Sequence, residues 1–291
     1  MTLELAIPSH LDPLKDTIPL LNHGYVKYIA HLGDDLTPLE AARMSTGNPT
    51  GVDHAKDTAT RDYLWRHAHA TPFEMAVLQI EVQCPLFVRS EWHRHRTQSY
   101  NEASGRYMEM PDIQYLPEPD RLQPQSATNK QGSEGALSPE LRDEMLRRMN
   151  DEQRMVRENY EWYLEQGLAR EVARINMPLS QFTRFRAQAN LRNWMHFLNL
   201  RMAPNAQQEI RVYAFAVAEI IRKLWPETWA VFEEHTLKAT SFSMSERTVL
   251  TDLLELAFKG MTPEQREAKI AEIAGDRLSK GRLREFVGKL S

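Results

Sequence analysis

The chain has 291 residues, 42% of them hydrophobic and 26% charged, with a formal net charge of −4 and one cysteine, Cys84. Such a composition belongs to a soluble globular protein of one large domain or two ordinary ones. It excludes a disulfide framework and a Cys-rich zinc site within the chain, and it gives no bulk attraction to nucleic acid. The opening Met-Thr-Leu-Glu-Leu-Ala-Ile-Pro lacks a basic region and a long apolar core, and no apolar run approaches the roughly 20 residues that span a bilayer. A cytoplasmic protein with no membrane contact is the expectation.

Taken in chain order, Thr37-Pro38-Leu39-Glu40 has the spacing of a capping box with Pro at the first helical position, so a helix is predicted to start there. Residues 77 to 84 alternate: Leu78, Ile80, Val82 and Cys84 on one side, Gln79, Glu81 and Gln83 on the other. A period of two predicts a half-buried strand. Pro85 ends it and opens a helix, on which Glu91 and Arg94 are expected one turn apart on the same face. Residues 116 to 138, rich in Pro, Gln, Ser, Gly and Asn, read as a surface loop.

Ser138-Pro139 caps a long helix with a stripe of Leu141, Met145, Met149, Val156, Tyr160 and Leu164, ended by Gly167. Asn190 is a good N-cap for a helix holding Leu191, Trp194, Leu198 and Arg201. Arg192 and His196 form a separate pair on it, four residues apart. A further helix over about 205 to 224 carries Ile210, Tyr213, Ala214, Val217, Ile221 and Leu224 on one face, and Pro226 follows. Past residue 240 the chain becomes highly charged. Thr262-Pro263-Glu264-Gln265 opens a helix there, and residues 283 to 290 read as another.

The segment richest in chemistry is residues 92 to 107, Trp-His-Arg-His-Arg-Thr-Gln-Ser-Tyr-Asn-Glu-Ala-Ser-Gly-Arg-Tyr. Arg94, Arg96 and Arg106 suit bidentate recognition of a phosphate or a planar imide edge. Glu102 is a poor neighbour for a purely electrostatic phosphate patch, so the segment points to a site that also reads a sugar hydroxyl or a base. His67, His69, His93 and His95 form two His-x-His pairs, the spacing of a metal site, yet no carboxylate or cysteine is spaced to complete a ligand set. No metal is expected.

Arg94-His95-Arg96, then seven residues, then Ser104 resembles the signature of flavin-dependent thymidylate synthases, and Asn101 to Tyr107 looks like its continuation. His69-Ala70-Thr71-Pro72-Phe73-Glu74 upstream is similar to a second motif of that family. Asn190-Leu191-Arg192, Phe197 to Arg201 and Ala206 to Ile210 resemble its later conserved block. Met75, Asn205, His196 and Glu91 depart from residues common in the family. The resemblance covers roughly residues 25 to 235 and implies several things. The fold would be α+β, with a small antiparallel sheet packed with several helices. A catalytic domain would fill residues 1–240, and 241–291, to which the resemblance assigns no counterpart, would form a charged helical C-terminal extension.

The activity implied is the synthesis of dTMP from dUMP, with methylenetetrahydrofolate as one-carbon donor and NADPH-reduced FAD as hydride source, in a homotetramer whose active sites lie between subunits. FAD would be held by Thr71, Arg94, His95, Arg96, Glu102, Asn190, Arg192 and His196. The dUMP would be held by Glu91, Arg94, Glu102, Ser104, Gly105, Arg106, Arg174 and Arg201. Arg201 would be catalytic, stabilising negative charge as the uracil imide ionises. Cys84, on the apolar side of a strand, is a poor nucleophile, which suits a flavin route over a thiolate one. Two other readings stay open here. A nucleic-acid-binding module is opposed by the acidic net charge. An NADPH–flavin oxidoreductase or nucleotide-binding protein would keep the ligands without methyl transfer.

Overall fold

A computed structural model describes residues 10–290. These form two compact units that divide after Lys238. The first unit has five strands: β1 (Thr17–Leu20), β2 (Gly24–Leu32), β3 (Val77–Pro85), β4 (Ser99–Glu102) and β5 (Phe182–Asn190). Its helices are α1 (Thr37–Arg43), α2 (His54–Arg66), α3 (Leu86–Trp92), α4 (Pro139–Glu165), α5 (Arg170–Ala173), α6 (Leu191–Arg201), α7 (Gln208–Leu224) and α8 (Pro226–Phe232). The expected α+β class is observed: one antiparallel sheet in the order β1-β2-β3-β5-β4, with helices packed on it.

The sheet is one-sided. Leu78, Ile80, Val82 and Cys84 of β3 are fully buried, joined by Val26 of β2 and by Phe185 and Ala187 of β5. The apolar face of α7 covers this side with Tyr213, Ala214, Val217 and Ile221. Each large side chain taken from water contributes roughly 1.5–3 kcal/mol, so this shared core of sheet and helices stabilises the unit. One hydrogen bond ties α7 to β3, the Tyr213 hydroxyl donating to the Gln83 carbonyl at 2.8 Å, and one ties α6 to it, the Trp194 indole N–H donating to the Leu78 carbonyl at 3.0 Å. The opposite face is polar, pairing Gln79 with Gln188 and Glu81 with Arg186 across strands. Solvation of one face is open to an antiparallel sheet.

Several local expectations change. The capping box at Thr37 is not formed. Leu36 is the N-cap, and the Asp34 carboxylate accepts from the Leu36 and Thr37 backbone N–H groups instead. An aspartate two residues upstream makes that turn more readily than a side chain inside the helix. Glu91 and Arg94 do not share a helix face, because α3 ends at Trp92. The chain turns there so that the Trp92 indole N–H reaches Gln98 and the Tyr100 hydroxyl donates to the His95 carbonyl at 2.9 Å. The stripe on α4 is largely unburied: only Tyr160 is fully covered, whereas Leu141 and Met149 are exposed.

The second unit holds α9 (Met244–Ala257), α10 (Pro263–Ala274) and α11 (Lys280–Leu290). Both Ser243 and Thr262 form complete capping boxes, with Glu246 and Gln265. No side chain of α9 or α10 is fully buried. No helix among the described residues is long and apolar enough to cross a membrane.

Candidate active site

Antiparallel pairing of β4 with β5 sorts the candidate residues. Ser99 lies opposite Gln188 and Glu102 opposite Phe185. The Arg94–Arg96 turn therefore leads into β4 at the α6 end of β5, and residues 103–106 leave at the other end. Three residue steps of strand separate the two ends, about 10 Å.

At the second end is a cavity of about 480 Å³ lined by Arg89, Glu102, Gly105, Glu171, Arg174 and Thr183, among others. Glu102 accepts from the Thr183 hydroxyl at 2.7 Å, and its same oxygen lies 3.3 Å from Arg89 Nε. Gly105 is buried; a Cβ there would come within 2.6 Å of Met110 Sδ and 3.0 Å of Arg174 Cδ. Only a residue without a side chain lets the backbone approach the Arg174 side chain so closely. Arg106 reaches Glu171 at 3.2 Å, and the Ser104 hydroxyl oxygen accepts from the Arg106 backbone N–H. A cation, a carboxylate and a glycine backbone on one cavity suit a small ligand that carries both an anion and donor groups.

At the first end the network centres on Arg201, in the last turn of α6. Its Nε–H donates to His95 Nε2 at 2.9 Å, and its two terminal nitrogens donate to Glu91 Oε2 and to the Glu91 carbonyl at 3.1 and 2.8 Å. Three of the five guanidinium N–H donors are thus engaged. Because His95 Nε2 accepts, it carries a lone pair and the ring proton sits on Nδ1. Burial, with the Arg201 charge and His196 adding to it, pushes the His95 imidazole down to about 4. Burial also raises the Glu91 carboxyl, Arg201 opposing it and Glu209 reinforcing it. Arg201 therefore faces a neutral imidazole and a partly desolvated carboxylate.

Also on α6, Arg192 donates to Glu74 at 3.0 Å, and the Asn190 side chain caps the helix by accepting from the Asn193 N–H at 2.9 Å. A second cavity, about 310 Å³, is lined by His69, Ala70, Arg192, His196, Asn199 and Thr236 over an apolar floor of Leu64, Phe73, Met195 and Phe232. Thr71 opens the one-turn helix Thr71–Glu74 beside it. Arg94 and Arg96 are exposed and have no side-chain partner among the described residues. Apolar floor, arginine fork and imidazole fit a flat aromatic cofactor with polar edges.

One chain thus brings together Glu102, Gly105 and Arg174 at one cavity, and Arg192 and His196 at another. Arg201, His95 and Glu91 form a third group, and none of these lines either cavity. The His-x-His pairs are occupied otherwise: His67 and His69 stack against Tyr63, and His93 against Tyr100. Burial pushes the Cys84 thiol well up, so no thiolate forms there. Sequence reasoning missed Arg89 and Thr183. Thr183 carried a signal, since residues 183–189 alternate Arg and Gln with Phe and Ala from Arg184 onward, marking β5.

Comparison with known proteins bears on these residues. A family model described as thymidylate synthase complementing protein matches residues 27–227. A flavin-dependent thymidylate synthase from Thermus thermophilus is 42% identical over 274 residues, 94% of this chain and 96% of that protein. One from Wolbachia pipientis wMel is 37% identical over 253 residues, 87% of each. Among solved structures, a UMP/dUMP methylase, PolB, from Streptomyces cacaoi bound with 5-Br UMP aligns at 30% identity with a TM-score of 0.67, covering 74% of this chain and 96% of that one. The family match covers every lining residue of the first cavity and all but Phe232 and Thr236 of the second, and by these comparisons the chain belongs to the flavin-dependent thymidylate synthase family.

Proposed function

We propose that the enzyme makes dTMP from dUMP, with methylenetetrahydrofolate as one-carbon donor and FAD reduced by NADPH, in the cytoplasm. The observation that carries this reading is the cavity where the Gly105 backbone, Arg174 and Glu102 converge. Arg174 and Arg106, with the Ser104 hydroxyl and the Gly105 backbone, bind the nucleotide phosphate as a charge-assisted cluster. Glu102 accepts from a donor group of the nucleotide. Glu91, Arg94 and Arg201 complete the dUMP site. FAD, when bound, supplies the hydride; its site comprises Thr71, Arg94, His95, Arg96, Glu102, Asn190, Arg192 and His196, and the second cavity supports it by its apolar floor and cationic rim.

Arg201 faces the uracil edge and stabilises the negative charge that develops when the imide ionises, a donor contribution commonly worth about 3 kcal/mol. To do so it uses its free N–H donors or releases Glu91. His95, neutral, fixes the guanidinium plane without competing for charge. Because Arg201 and the Arg174 cavity stand apart within one chain, the complete site is formed between subunits of a homotetramer. The exposed Leu141 and Met149 on α4 support such burial by another copy. Residues 1–240 carry catalysis, and 241–291 are a helical extension.

The test is product analysis on purified protein, omitting each co-substrate in turn. dTMP that requires dUMP, methylenetetrahydrofolate and NADPH together is expected. NADPH oxidation with no dTMP under any condition would leave an oxidoreductase instead.

A further inference from the structure

We infer that Arg89 and Thr183 are positioning residues that clamp one oxygen of Glu102 and so present its other oxygen to a donor group of the bound nucleotide. The inference rests on reading the Arg174 cavity as the nucleotide site. Thr183 donates to Oε1 at 2.7 Å, and Arg89 Nε stands 3.3 Å from that same atom. No hydrogen bond to Oε2 is present among the described residues, and Arg89, Glu102 and Thr183 all line the cavity with Gly105 and Arg174.

The clamp is built from three elements. Thr183 belongs to β5, opposite Cys84 of β3, and is buried; a β-branched side chain in a packed strand has little freedom at χ1. Arg89 comes from α3. Its Nε–H is buried but not aligned on the carboxylate, so it makes no hydrogen bond at 3.3 Å. The terminal torsion of a glutamate is soft, so the Thr183 bond alone leaves the carboxylate able to turn, and the Arg89 charge beside Oε1 restrains it.

Charge sorts the ligand. A phosphate is repelled by Glu102 and drawn to Arg174, so the atom facing Oε2 is an O–H or N–H: a sugar hydroxyl or the imide of the base. A carboxylate free to rotate would lose orientation each time the ligand left. Pinned on one oxygen, it meets the donor already aligned, which lowers the ordering cost of binding.

Calorimetric titration of the full-length, FAD-loaded protein with dUMP tests this. Thr183→Val, which keeps the shape, is expected to weaken binding about tenfold, the scale of one lost charged hydrogen bond, and Arg89→Met, which keeps the aliphatic stem and removes the ion pair, severalfold. Glu102→Gln should lose at least as much, and adding Arg89→Met to it should then cost less than twofold, because Arg89 acts through that carboxylate. Equal losses in both backgrounds, or unchanged binding in the two single variants, would overturn the clamp. If Arg89→Met does not fold, Arg89→Gln and Thr183→Val carry the same comparison. Failure of the wild-type protein to bind dUMP removes the nucleotide reading of the cavity, and the clamp with it, and is distinguished by appearing before any substitution is made.

Discussion

Arg201 holds Glu91 and His95 with three directed N–H groups, and a lysine has no planar fork with which to replace them. If its role were only to complement the C-terminal dipole of α6, worth about 0.3–1 kcal/mol, retained charge would suffice. Arg201→Lys is instead expected to lower dTMP formation about a hundredfold, equivalent to about 2.7 kcal/mol of lost transition-state stabilisation. Reduction of bound flavin by NADPH should fall much less. Both rates are to be measured at matched FAD occupancy; near-normal dTMP formation would assign Arg201 to structure alone. Its neighbour makes a pH prediction. Burial lowers the His95 imidazole from 6.5 to about 4, so between those values the unfolded chain binds a proton that the folded one refuses. The stabilising contribution is full above pH 6.5 and is lost as pH falls through that window. The melting temperature should drop on acidification across it, and His95→Gln should flatten the drop. An unchanged slope would trace the acid sensitivity to other groups.

Among the elements, α6 carries Arg192, His196 and Arg201 on eleven residues, and its start is fixed by the Asn190 side chain. Asn190→Ala should cost about 1 kcal/mol, a fall of roughly 2–4 °C in melting temperature. Scanning calorimetry checks this, and no change would mean that packing of Trp194 and Leu198 alone sets the helix. This cap was legible in the sequence, as were β3 and the apolar face of α7, because each rests on local chemistry or a long periodic run. What could not be read was set by distant partners. β1 and β4 are four residues each, too short for a pattern. The Thr37 cap lost to Asp34, and α3 stops at Trp92, after which the chain turns so that Gln98, six residues on, accepts from the indole N–H.

For the molecule as a whole, motifs named the candidate residues, yet their grouping in the fold was not visible. Arg94 and Ser104 sit close in sequence, and β4 sends them to opposite ends of β5. Arg89 belongs to no motif and is placed only when α3 meets β4 and β5. A site divided in this way makes a prediction about assembly. Inactive Arg106→Ala and Arg192→Ala proteins, mixed and allowed to exchange subunits, should recover part of the dTMP-forming activity, since some mixed interfaces contain both arginines. Verified exchange with no recovery would count against sharing of this pair between chains.

The two edges of the sheet are its shortest strands, and the strand between the candidate arginines, β4, is one of them. A free edge is a template on which further strands can grow, and short length and flanking charge are how soluble proteins blunt it. Arg94 and Arg96 before β4 and Arg106 after it supply that charge. Substitutions that neutralise these arginines therefore remove a guard against edge-to-edge aggregation, whatever they do to the proposed ligand sites. Poor soluble yield of such variants is a property of the sheet's margin, separate from any loss of chemistry.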